Sequence, residues 1–226
     1  MGPDNVWHKK AFMQRVQAER GIRAKSDLFV ELCSGRDVLD VGCVGQNMNY
    51  DDPRWLHQKI RNSAASVLGV DIDRAGISEL KSRGLDAIHA DDLENSGSDF
   101  DLVVMSDVIE HVDDPVAFLR FYAAFLRENG RIVVTTPNPF SAIHLLRILR
   151  WNQVKVNPEH TMWIDPGVFT EIANRAELTL CDFLWISDYA DLGAMGLGSR
   201  VMRHTASLMS RVRRYYSPYY MVALTR

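Results

Sequence analysis

The feature that most constrains the fold is the regular alternation of short apolar runs with longer amphipathic segments. Apolar runs at 38–41, 67–70 and 100–105 are each followed by a stretch with helical spacing. Strands that alternate with helices pair in parallel, because a helix must carry the chain back across the sheet before the next strand begins. The near-continuous apolar character of 100–105 is typical of a strand covered on both faces. The alternation predicts an α/β protein with helices on both faces of a mainly parallel sheet.

The same pattern assigns the individual elements. Two N-terminal helices, broken near Gly21, are predicted over residues 5–34. Strands are predicted at 38–41, 67–70, 85–90, 100–105, 131–135, 178–186 and 219–225. Helices are predicted at 52–64, 73–83, 114–129, 141–150 and 166–176, with aspartates as N-caps at several starts.

Length and composition suit a single domain. The 226 residues are 46% hydrophobic, which is enough for one full core. We predict an N-terminal helical cap over 1–34, a core over 36–190, a basic amphipathic insertion over 192–216 and a last strand at 219–225.

Charge and cysteine content exclude several classes. The net charge of -3 does not favour nucleic-acid binding, and no nucleic-acid partner is expected. Cys33, Cys43 and Cys181 are odd in number and form no C-x-x-C pair, so neither a zinc site nor a disulfide framework is expected. An N-terminal signal core and an apolar run of about 18 residues are both absent. We therefore expect a cytoplasmic protein, with peripheral contact to the inner membrane surface left open, and the oligomeric state is not indicated.

Carboxylates follow the ends of successive predicted strands. They are Asp40, Asp71, Asp91, Asp92 and Asp107. Ligands of open parallel sheets bind at these strand ends. The turn at Gly42 lets a ligand approach the backbone, and the acid at Asp71 can accept hydrogen bonds from both ribose hydroxyls. The pattern predicts an adenosine-containing cofactor, although any one of these acids could instead be a helix N-cap.

Four segments match an ordered set of family motifs. They are Val-Leu-Asp-Val-Gly-Cys at 38–43, Gly-Val-Asp-Ile-Asp at 69–73, Phe-Asp-Leu-Val-Val at 100–104 and Val-Ile-Glu-His-Val-Asp-Asp-Pro at 108–115. Together they resemble the class I S-adenosylmethionine-dependent methyltransferases, and the Glu-His-Val segment resembles their broad ubiquinone-type branch. The resemblance covers roughly residues 36–190. It implies a Rossmann-like, three-layer αβα sandwich with a seven-stranded, mostly parallel sheet whose last strand is antiparallel.

The resemblance implies S-adenosyl-L-methionine as cofactor, with S-adenosyl-L-homocysteine as product, and it assigns the methionine end of the site. Gly42 and Gly45 would approach the methionine moiety, with Asp40 supporting its ammonium group. Ser106 and Asp107 would line the same end. Nearby acids would stabilise the positive sulfonium and keep its methyl group aimed at an opening.

The adenosine end is assigned in the same way. Asp71 would hold the ribose hydroxyls, and Ile72 would pack on the adenine. Asp91 or Asp92 would accept a hydrogen bond from the adenine amine, with Leu93 on the ring.

The turn after the first strand departs from the family pattern. The family usually has G-x-G-x-G there, whereas this chain has Val44 at the middle glycine and Gln46 at the last. We interpret this as a subfamily variant, because Asp40, Gly42 and Asp71 are kept. The methionine tail is expected to pass a slightly bulkier turn.

Two histidines are candidates for moving a proton. His160 lies in a polar loop after the fifth strand, next to Glu159, where a general base would face the acceptor. It could instead pack in the loop. His111 follows the fourth strand, and its alternative role is to shape the pocket. No clustered ligand spacing is present, so no metal is expected.

The C-terminal part carries a cationic helix. A helical wheel places Arg200, Arg203, His204, Ser207, Arg211 and Arg214 on one face. It places Val201, Met202, Thr205, Leu208, Met209 and Val212 on the other. The helix could be a solvated element packed on the domain, a lid over an anionic substrate, or a surface that contacts anionic lipid through Arg200, Arg203, Arg211 and Arg214.

The sequence thus favours S-adenosylmethionine-dependent methyl transfer to a small molecule or glycan, most simply at oxygen, by in-line displacement with His160 or His111 as a candidate base. A nicotinamide-dependent oxidoreductase shares the first turn and the second-strand acid, but it does not explain the Glu-His-Val segment. A non-catalytic S-adenosylmethionine-binding module is the third reading.

Overall fold

The computed structural model describes residues 3–46, 49–187 and 197–226. Residues 188–190 of the predicted core and 192–196 of the predicted insertion therefore lie outside the described residues. The strands are β1 Ile22–Arg23, β2 Asp37–Val41, β3 Ser66–Asp71, β4 Ala87–His89, β5 Phe100–Ser106, β6 Leu126–Pro137, β7 Thr179–Ile186 and β8 Tyr219–Thr225. They form one sheet in the order β1-β7-β8-β6-β5-β2-β3-β4.

The sheet is parallel except around its last strand. β2 pairs in parallel with both β3 and β5, and β5 pairs in parallel with β6. β8 lies antiparallel between β6 and β7. The strand order runs outward from β2 through β3 to β4 and then restarts at β5 on the other side, so the topological switch point lies between β2 and β5. Ligands of open α/β sheets bind at such a point.

The predicted fold class is confirmed, with one strand more than expected. β1 is only two residues long and pairs in parallel with β7 at the sheet edge, through Ile22–Trp185 and Arg23–Ile186. Two residues are too few to show a period in sequence, which is why the N-terminal cap was expected to be helical only.

The described helices are α1 Pro3–Ala18, α2 Lys25–Cys33, α3 Leu56–Ser63, α4 Arg74–Ser82, α5 Pro115–Ala123, α6 Ala142–Trp151, α7 Pro166–Arg175 and α8 Leu197–Val212. Aspartates cap two of them as predicted. Asp73 accepts from the Ala75 amide, and Asp114 accepts from the amides of Val116 and Ala117.

Two predicted helix bounds were wrong. The helix expected from residue 52 begins at Leu56, because residues 49–55 form turns in which the Asp52 side chain bonds the Arg54 amide at 2.8 Å. The helix expected to continue to residue 129 ends at Ala123, because β6 already begins at Leu126. The Leu126 pairing with Phe100 and the later pairing of Arg131 with Leu102 leave a bulge between them.

Alternating residues of the central strands fill two cores. Val103 and Met105 lie in the core shared with α5 and α7, whereas Leu102 and Val104 lie in the core shared with α2 and α3. Both sets are fully buried, so β5 is covered on both faces as its composition predicted. The three-layer arrangement follows from this division.

Two helices lie outside the layers and matter for the site. α6 follows β6, and α8 precedes β8; the two pack against each other above the sheet edge where the parallel strands end. None of the described helices is long and apolar enough to cross a membrane.

Candidate functional site

A large cavity of about 1240 Å³ opens at the carboxyl ends of the parallel strands. One side of it, the strand-end half, is formed by the turns that follow β2, β3 and β5. The other side, the helical half, is formed by α6, residues 155–160 and α8. The cavity is larger than a typical site of about 300–1,000 Å³ for one small ligand, so it has room for two.

The turn after β2 keeps the backbone geometry that glycine provides. Gly42 and Gly45 both line the cavity with positive φ, at 82° and 67°. A Cβ at Gly42 would lie 2.6 Å from Val108 Cγ2, so a side chain there would close the space. Val44 is 4% exposed, and its methyl groups occupy the space next to Gly76, where a Cβ would lie 2.4 Å from Val44 Cγ1. The bulk that replaces the family glycine is thus absorbed by a glycine on α4.

Gln46, the second departure from the family turn, joins the two halves of the cavity. Its side-chain amide donates to the Glu159 carboxylate, and its carbonyl oxygen accepts from Asn157 Nδ2 at 2.8 Å. The turn after β2 is thereby tied to the loop that carries His160.

Asp71 and Ile72 lie where the sequence predicted an adenosine. Asp71 lines the cavity, accepts from the Val44 amide at 2.9 Å and accepts from the Asp73 amide at 3.0 Å. A carboxylate has about four acceptor positions, so two remain for ligand hydroxyls. Ile72 lines the same space and is 81% exposed, which leaves an apolar face available to a flat ring.

Asp40 does not line the cavity, and the nearby support for an ammonium group that the resemblance implied stays a prediction. Its side chain is buried, and Oδ2 lies 2.7 Å from Nδ1 of His57, which is also buried. The carboxylate satisfies a histidine under the turn, because both groups would otherwise be buried without a partner.

Asp91, Asp92 and Leu93 follow a lining residue, Ala90, but do not themselves line the cavity, and the adenine contacts implied for them stay predictions. β4 ends at His89, and a short 3-10 helix over Ala90–Ser96 then redirects the chain. Leu93 turns into the core with 0% exposure, and Asp91 pairs with Arg74 at 2.8 Å. Asp92 is exposed. Of this segment only Ala90 lines the cavity.

Ser106 and Asp107 line the cavity as expected, and Asp107 is held by a residue that sequence reasoning missed. Asp107 has a positive φ of 57° and forms an ion pair with Lys25 of α2. Thr135 Oγ1 donates within 3.2 Å of both Ser106 Oγ and Asp107 Oδ1. Lys25 lies 82 residues before Asp107 in the chain, so no local spacing could have indicated the pair.

Glu110 is a second residue of the site that was identified from the sequence only as part of the Glu-His-Val segment. Its side chain lines the cavity yet is nearly fully buried; Oε2 accepts from Thr136 Oγ1 at 3.0 Å. Oε1 has no hydrogen-bond partner among the described residues. Burial, followed by the charge of Asp107, raises the pKa of the Glu110 carboxyl from 4.5 to about 8.

The two candidate histidines meet beside Glu110. The rings of His111 and His160 lie edge to face with centroids 4.7 Å apart, and His160 Nε2 lies 4.0 Å from Glu110 Oε1. Thr161 fastens the loop, because its amide and hydroxyl both donate to the Glu110 carbonyl oxygen, at 2.9 and 3.1 Å. Burial and the nearby His111 lower the pKa of His160, while Asp107 acts in the opposite direction.

The same three side chains form a possible metal-ligand set, contrary to the expectation from sequence spacing. One ligand atom from each of Glu110, His111 and His160 lies within 4.8 Å of the others. Two of the three are neighbours in sequence, and the third comes from a loop about 50 residues later, so the cluster exists only in the fold.

The helical half differs in chemistry. Its lining includes Ile143, His144, Arg147, Trp151, Lys155, Met202 and Arg203. Burial, followed by the nearby charge of Arg147, lowers the pKa of His144 to about 4, and its ring stacks on Trp163 with the ring centroids 5.2 Å apart, so it is a neutral packing residue.

The faces of α8 are not those of the predicted wheel. The helix packs through a stripe that contains the buried Ala206 and Ser210, and it leaves Val201, Leu208 and Val212 exposed. Arg203 turns inward to line the cavity. Arg214 also turns inward, where it donates to the Arg20 carbonyl oxygen at 2.7 Å. A wheel shows which residues share a face of a helix, but it does not show which face the rest of the domain covers.

Four features together define a site for an adenosine-containing methyl donor. They are a cavity at the switch point, a glycine turn, a carboxylate after the second parallel strand and an exposed apolar residue beside that carboxylate. The residues present fit that group: the space over Gly42 is open only because no Cβ is there, and Asp71 keeps free acceptor positions.

Comparison with known proteins gives the family. Residues 13–182 match the methyltransferase domain family. The chain therefore belongs to this family of S-adenosylmethionine-dependent methyltransferases. The match favours methyl transfer over the nicotinamide-dependent alternative.

Individual relatives agree with the family. A Mycolicibacterium smegmatis protein named "Probable S-adenosylmethionine-dependent methyltransferase" is 29% identical over 181 residues, which cover 78% of this chain and 63% of that protein. The chain thus spans slightly less than two thirds of that relative. A ubiquinone biosynthesis O-methyltransferase of Neisseria meningitidis is 28% identical over 196 residues and 79% of each chain.

Solved structures agree with the fold. An S-adenosylmethionine-dependent methyltransferase from Archaeoglobus fulgidus superposes with a TM-score of 0.52 at 18% identity, covering 98% of this chain and 94% of that one. A complex of the Haloferax volcanii Trm112 methyltransferase activator with a methyltransferase gives 0.55 at 15% identity, covering 98% and 90%.

Proposed function

We propose that the protein transfers a methyl group from S-adenosylmethionine to an oxygen atom of a small organic acceptor. The preference for oxygen is supported by the O-methyltransferase names of several relatives, among them those from Neisseria and Vibrio. A glycan acceptor is compatible with the size of the cavity, about 1240 Å³.

The observation that carries this proposal is the position of Glu110, His111 and His160 at the border between the two halves of the cavity. All three line it, next to Ser106 and Asp107 at the methionine end. A hydroxyl group must lose its proton as it is methylated, and a titratable group within reach of the acceptor can take that proton.

His160 is the residue proposed to accept the proton. Its lowered pKa keeps the ring neutral near pH 7, so one ring nitrogen offers a lone pair. Glu110, whose Oε1 lies 4.0 Å from His160 Nε2, would stabilise the resulting imidazolium once it ionises. His111 contacts the His160 ring edge to face and is proposed to orient it.

The donor supplies an electrophilic methyl group when bound. Asp71 and Ile72 are proposed to hold its nucleoside, and Gly42 and Gly45 to admit its methionine tail. Asp107, already paired with Lys25, would lie near the positive sulfonium together with Ser106.

Calorimetry with S-adenosylhomocysteine and NAD, followed by transfer of a labelled methyl group to paired hydroxyl and amine acceptors, tests the proposal. We expect binding of S-adenosylhomocysteine alone and label on oxygen, with a rate that rises as the pH approaches about 8 and Glu110 ionises. Label on nitrogen or carbon would overturn the oxygen assignment. Cofactor binding without transfer to any acceptor would favour the non-catalytic module.

The same trio could instead hold a divalent cation, because its ligand atoms lie within 4.8 Å of one another. Chelation with EDTA separates the two roles. Transfer that survives chelation supports proton transfer by His160. Transfer that is lost and then restored by added Mg²⁺ or Zn²⁺ would assign the trio to metal binding.

The exposed surface of α6 and α8 is proposed to contact an anionic lipid surface. Leu149 and Val212 are 74% and 66% exposed, and Leu208 is also exposed. Arg200 and Arg211 are exposed on α8, which contains no acidic residue. Apolar side chains next to arginines are typical of helices that lie on anionic membranes. Of the four arginines predicted for this contact, Arg203 and Arg214 face inward and are withdrawn from it.

Flotation with phosphatidylglycerol vesicles tests this contact. We expect the protein to float with these vesicles and not with phosphatidylcholine vesicles. Charge reversal of Arg200 and Arg211 to Glu should abolish flotation, whereas Arg61→Glu, an exposed arginine on α3, should not. Equal loss of flotation in both variants would mean that vesicle binding depends only on the net charge of the protein.

A further inference from the structure

We propose that the helical half of the cavity binds an anionic group of the acceptor, a carboxylate or a phosphate, through Arg147 of α6 and Arg203 of α8. The inference rests on the proposed function, since it concerns the acceptor of the same reaction. It makes the acceptor an amphiphile with an acid group at one end and the methylated atom near His160.

The first support is the separation of charge within one cavity. The strand-end half is lined by Asp71, Asp73 and Asp107. The helical half is lined by the cations Arg147, Lys155 and Arg203 and by one acid, Glu159, whose carboxylate already accepts from Gln46 at the junction with the strand-end half. No acidic residue occurs from 142 to 158 or in α8. A positive donor thus matches one half, and the field of the other half favours a negative ligand.

The second support is the state of Arg147. The residue is partly buried, and its side chain donates to the Lys155 carbonyl oxygen at 3.4 Å. Among the described residues Arg147 forms no ion pair with a carboxylate, and burial lowers its pKa. Withdrawing a cation from water is costly unless an anion compensates it. An acid group of the acceptor would supply that compensation.

The third support is the facing helix. α8 packs against α6, and its half-buried Arg203 lines the same cavity. Two guanidinium groups can hold a carboxylate or phosphate by several parallel hydrogen bonds. The walls beside them are apolar, with Ile143 and Met202, so the body of the ligand would be apolar.

The acid group also fixes the direction of the acceptor. An anion held between α6 and α8 would leave the remainder of the molecule to extend toward the border where His160 lies, with the proposed donor site beyond it in the strand-end half. Anchoring of this kind lowers the entropic cost of aligning the attacking oxygen with the methyl group.

Binding to the protein saturated with S-adenosylhomocysteine tests the proposal. The probes are 3-hydroxybenzoate and its neutral counterpart 3-hydroxybenzamide, measured by calorimetry. We expect the benzoate to bind at least about 10-fold more tightly than the benzamide, the advantage that charge-assisted hydrogen bonds provide. Arg147→Gln should remove that advantage, and Arg147→Lys should keep part of it.

The matched control is Arg150→Gln. Arg150 lies on the same helix, is exposed, stacks on Trp151 at 5.8 Å and does not line the cavity. Arg150→Gln should leave the affinities of both probes unchanged, and neither the Arg147 nor the Arg150 variant should change the affinity for S-adenosylhomocysteine. Equal binding of the two probes to the wild type, no binding of the benzoate, or equal losses in the Arg147 and Arg150 variants would overturn the proposal.

Two further measurements distinguish a lipid phosphate from a soluble phosphate ester and separate this proposal from the proposed function. If dioctanoyl phosphatidate binds far more tightly than phenyl phosphate, the anion is a lipid phosphate; if phenyl phosphate binds far more tightly, it is a soluble ester. Either result supports the shared anion site if Arg147→Gln weakens binding of the tighter probe. Failure of S-adenosylhomocysteine to bind would sink the proposed function alone, because the anion probes can still be measured on the free protein.

Discussion

The strand-end half and the helical half of the cavity contrast in how they are built. The strand-end half presents backbone turns and carboxylates within a few residues of the ends of β2, β3 and β5, and its shape depends on glycines at fixed positions. The helical half presents long side chains from α6 and α8, two segments about 50 residues apart in the chain. The first suits a ligand that the whole family shares. The second can change from one protein to another without disturbing the sheet, which is where acceptor choice belongs.

The largest effect is expected at His160, the loop residue at the border between the two halves of the cavity. His160→Gln should lower kcat by about 100-fold, the usual contribution of a general base, without changing S-adenosylhomocysteine affinity. His204→Gln on the exposed side of α8 serves as control and should be silent in steady-state kinetics. A Kd that rises together with the loss of kcat would place His160 in donor binding.

Asp71 tests the strand-end half. Asp71→Asn should raise the Kd of S-adenosylhomocysteine by about 30-fold, because hydrogen bonds to a charged acceptor become neutral ones. Asp92→Asn, whose carboxylate is exposed and does not line the cavity, should leave the Kd unchanged in the same calorimetric titration. A comparable loss for Asp92 would support the adenine contact that the resemblance implied.

Replacing Glu110 tests whether its carboxyl group, at the border between the two halves of the cavity, is buried. Its pKa is raised in the folded protein, from 4.5 to about 8, so its contribution to stability is full below pH 4.5 and is lost as the pH rises through about 8. The wild type should therefore lose up to about 1.4 kcal/mol of unfolding free energy per pH unit in this window relative to Glu110→Gln. Urea titrations at pH 5, 6.5 and 8 measure the difference, and parallel curves for the two proteins would contradict it.

Gln46 gives the smallest expected effect and sharpens the link between the halves. Gln46→Ala removes two exposed hydrogen bonds to Asn157 and Glu159 and should raise the acceptor KM about 3-fold with little change in stability. Gln17→Ala, an exposed glutamine on α1, controls for the composition change. An unchanged KM would mean that the loop holds its position through Thr161 alone.

The residues whose position at the cavity could be predicted from the sequence are those whose position is set by the adjacent strand and turn. Gly42, Gly45, Asp71 and Ile72 all line the cavity, since a strand end and its turn fix where such residues point. Asp91, Asp92 and Leu93 lie in a 3-10 helix that follows His89, an element that the sequence pattern did not predict.

The residues that sequence could not predict depend on contacts between distant segments. The Lys25–Asp107 pair spans more than 80 positions, and the Glu110–His160 approach spans 50. The pairing of Asp40 with His57, 17 positions away on another element, was not predicted either. The helical wheel likewise did not predict that Arg203 lines the cavity.

The Gln46 bridge has a consequence for how the two ligands sense each other. The turn that would receive the methionine tail and the loop that would face the acceptor share one side chain, which bonds Asn157 and Glu159 directly. Any donor-induced shift of that turn changes the free energy of the loop, and thermodynamic linkage then requires that acceptor binding changes donor affinity by the same factor. A residue that replaces a family glycine would thereby convert two adjacent sites into a coupled pair.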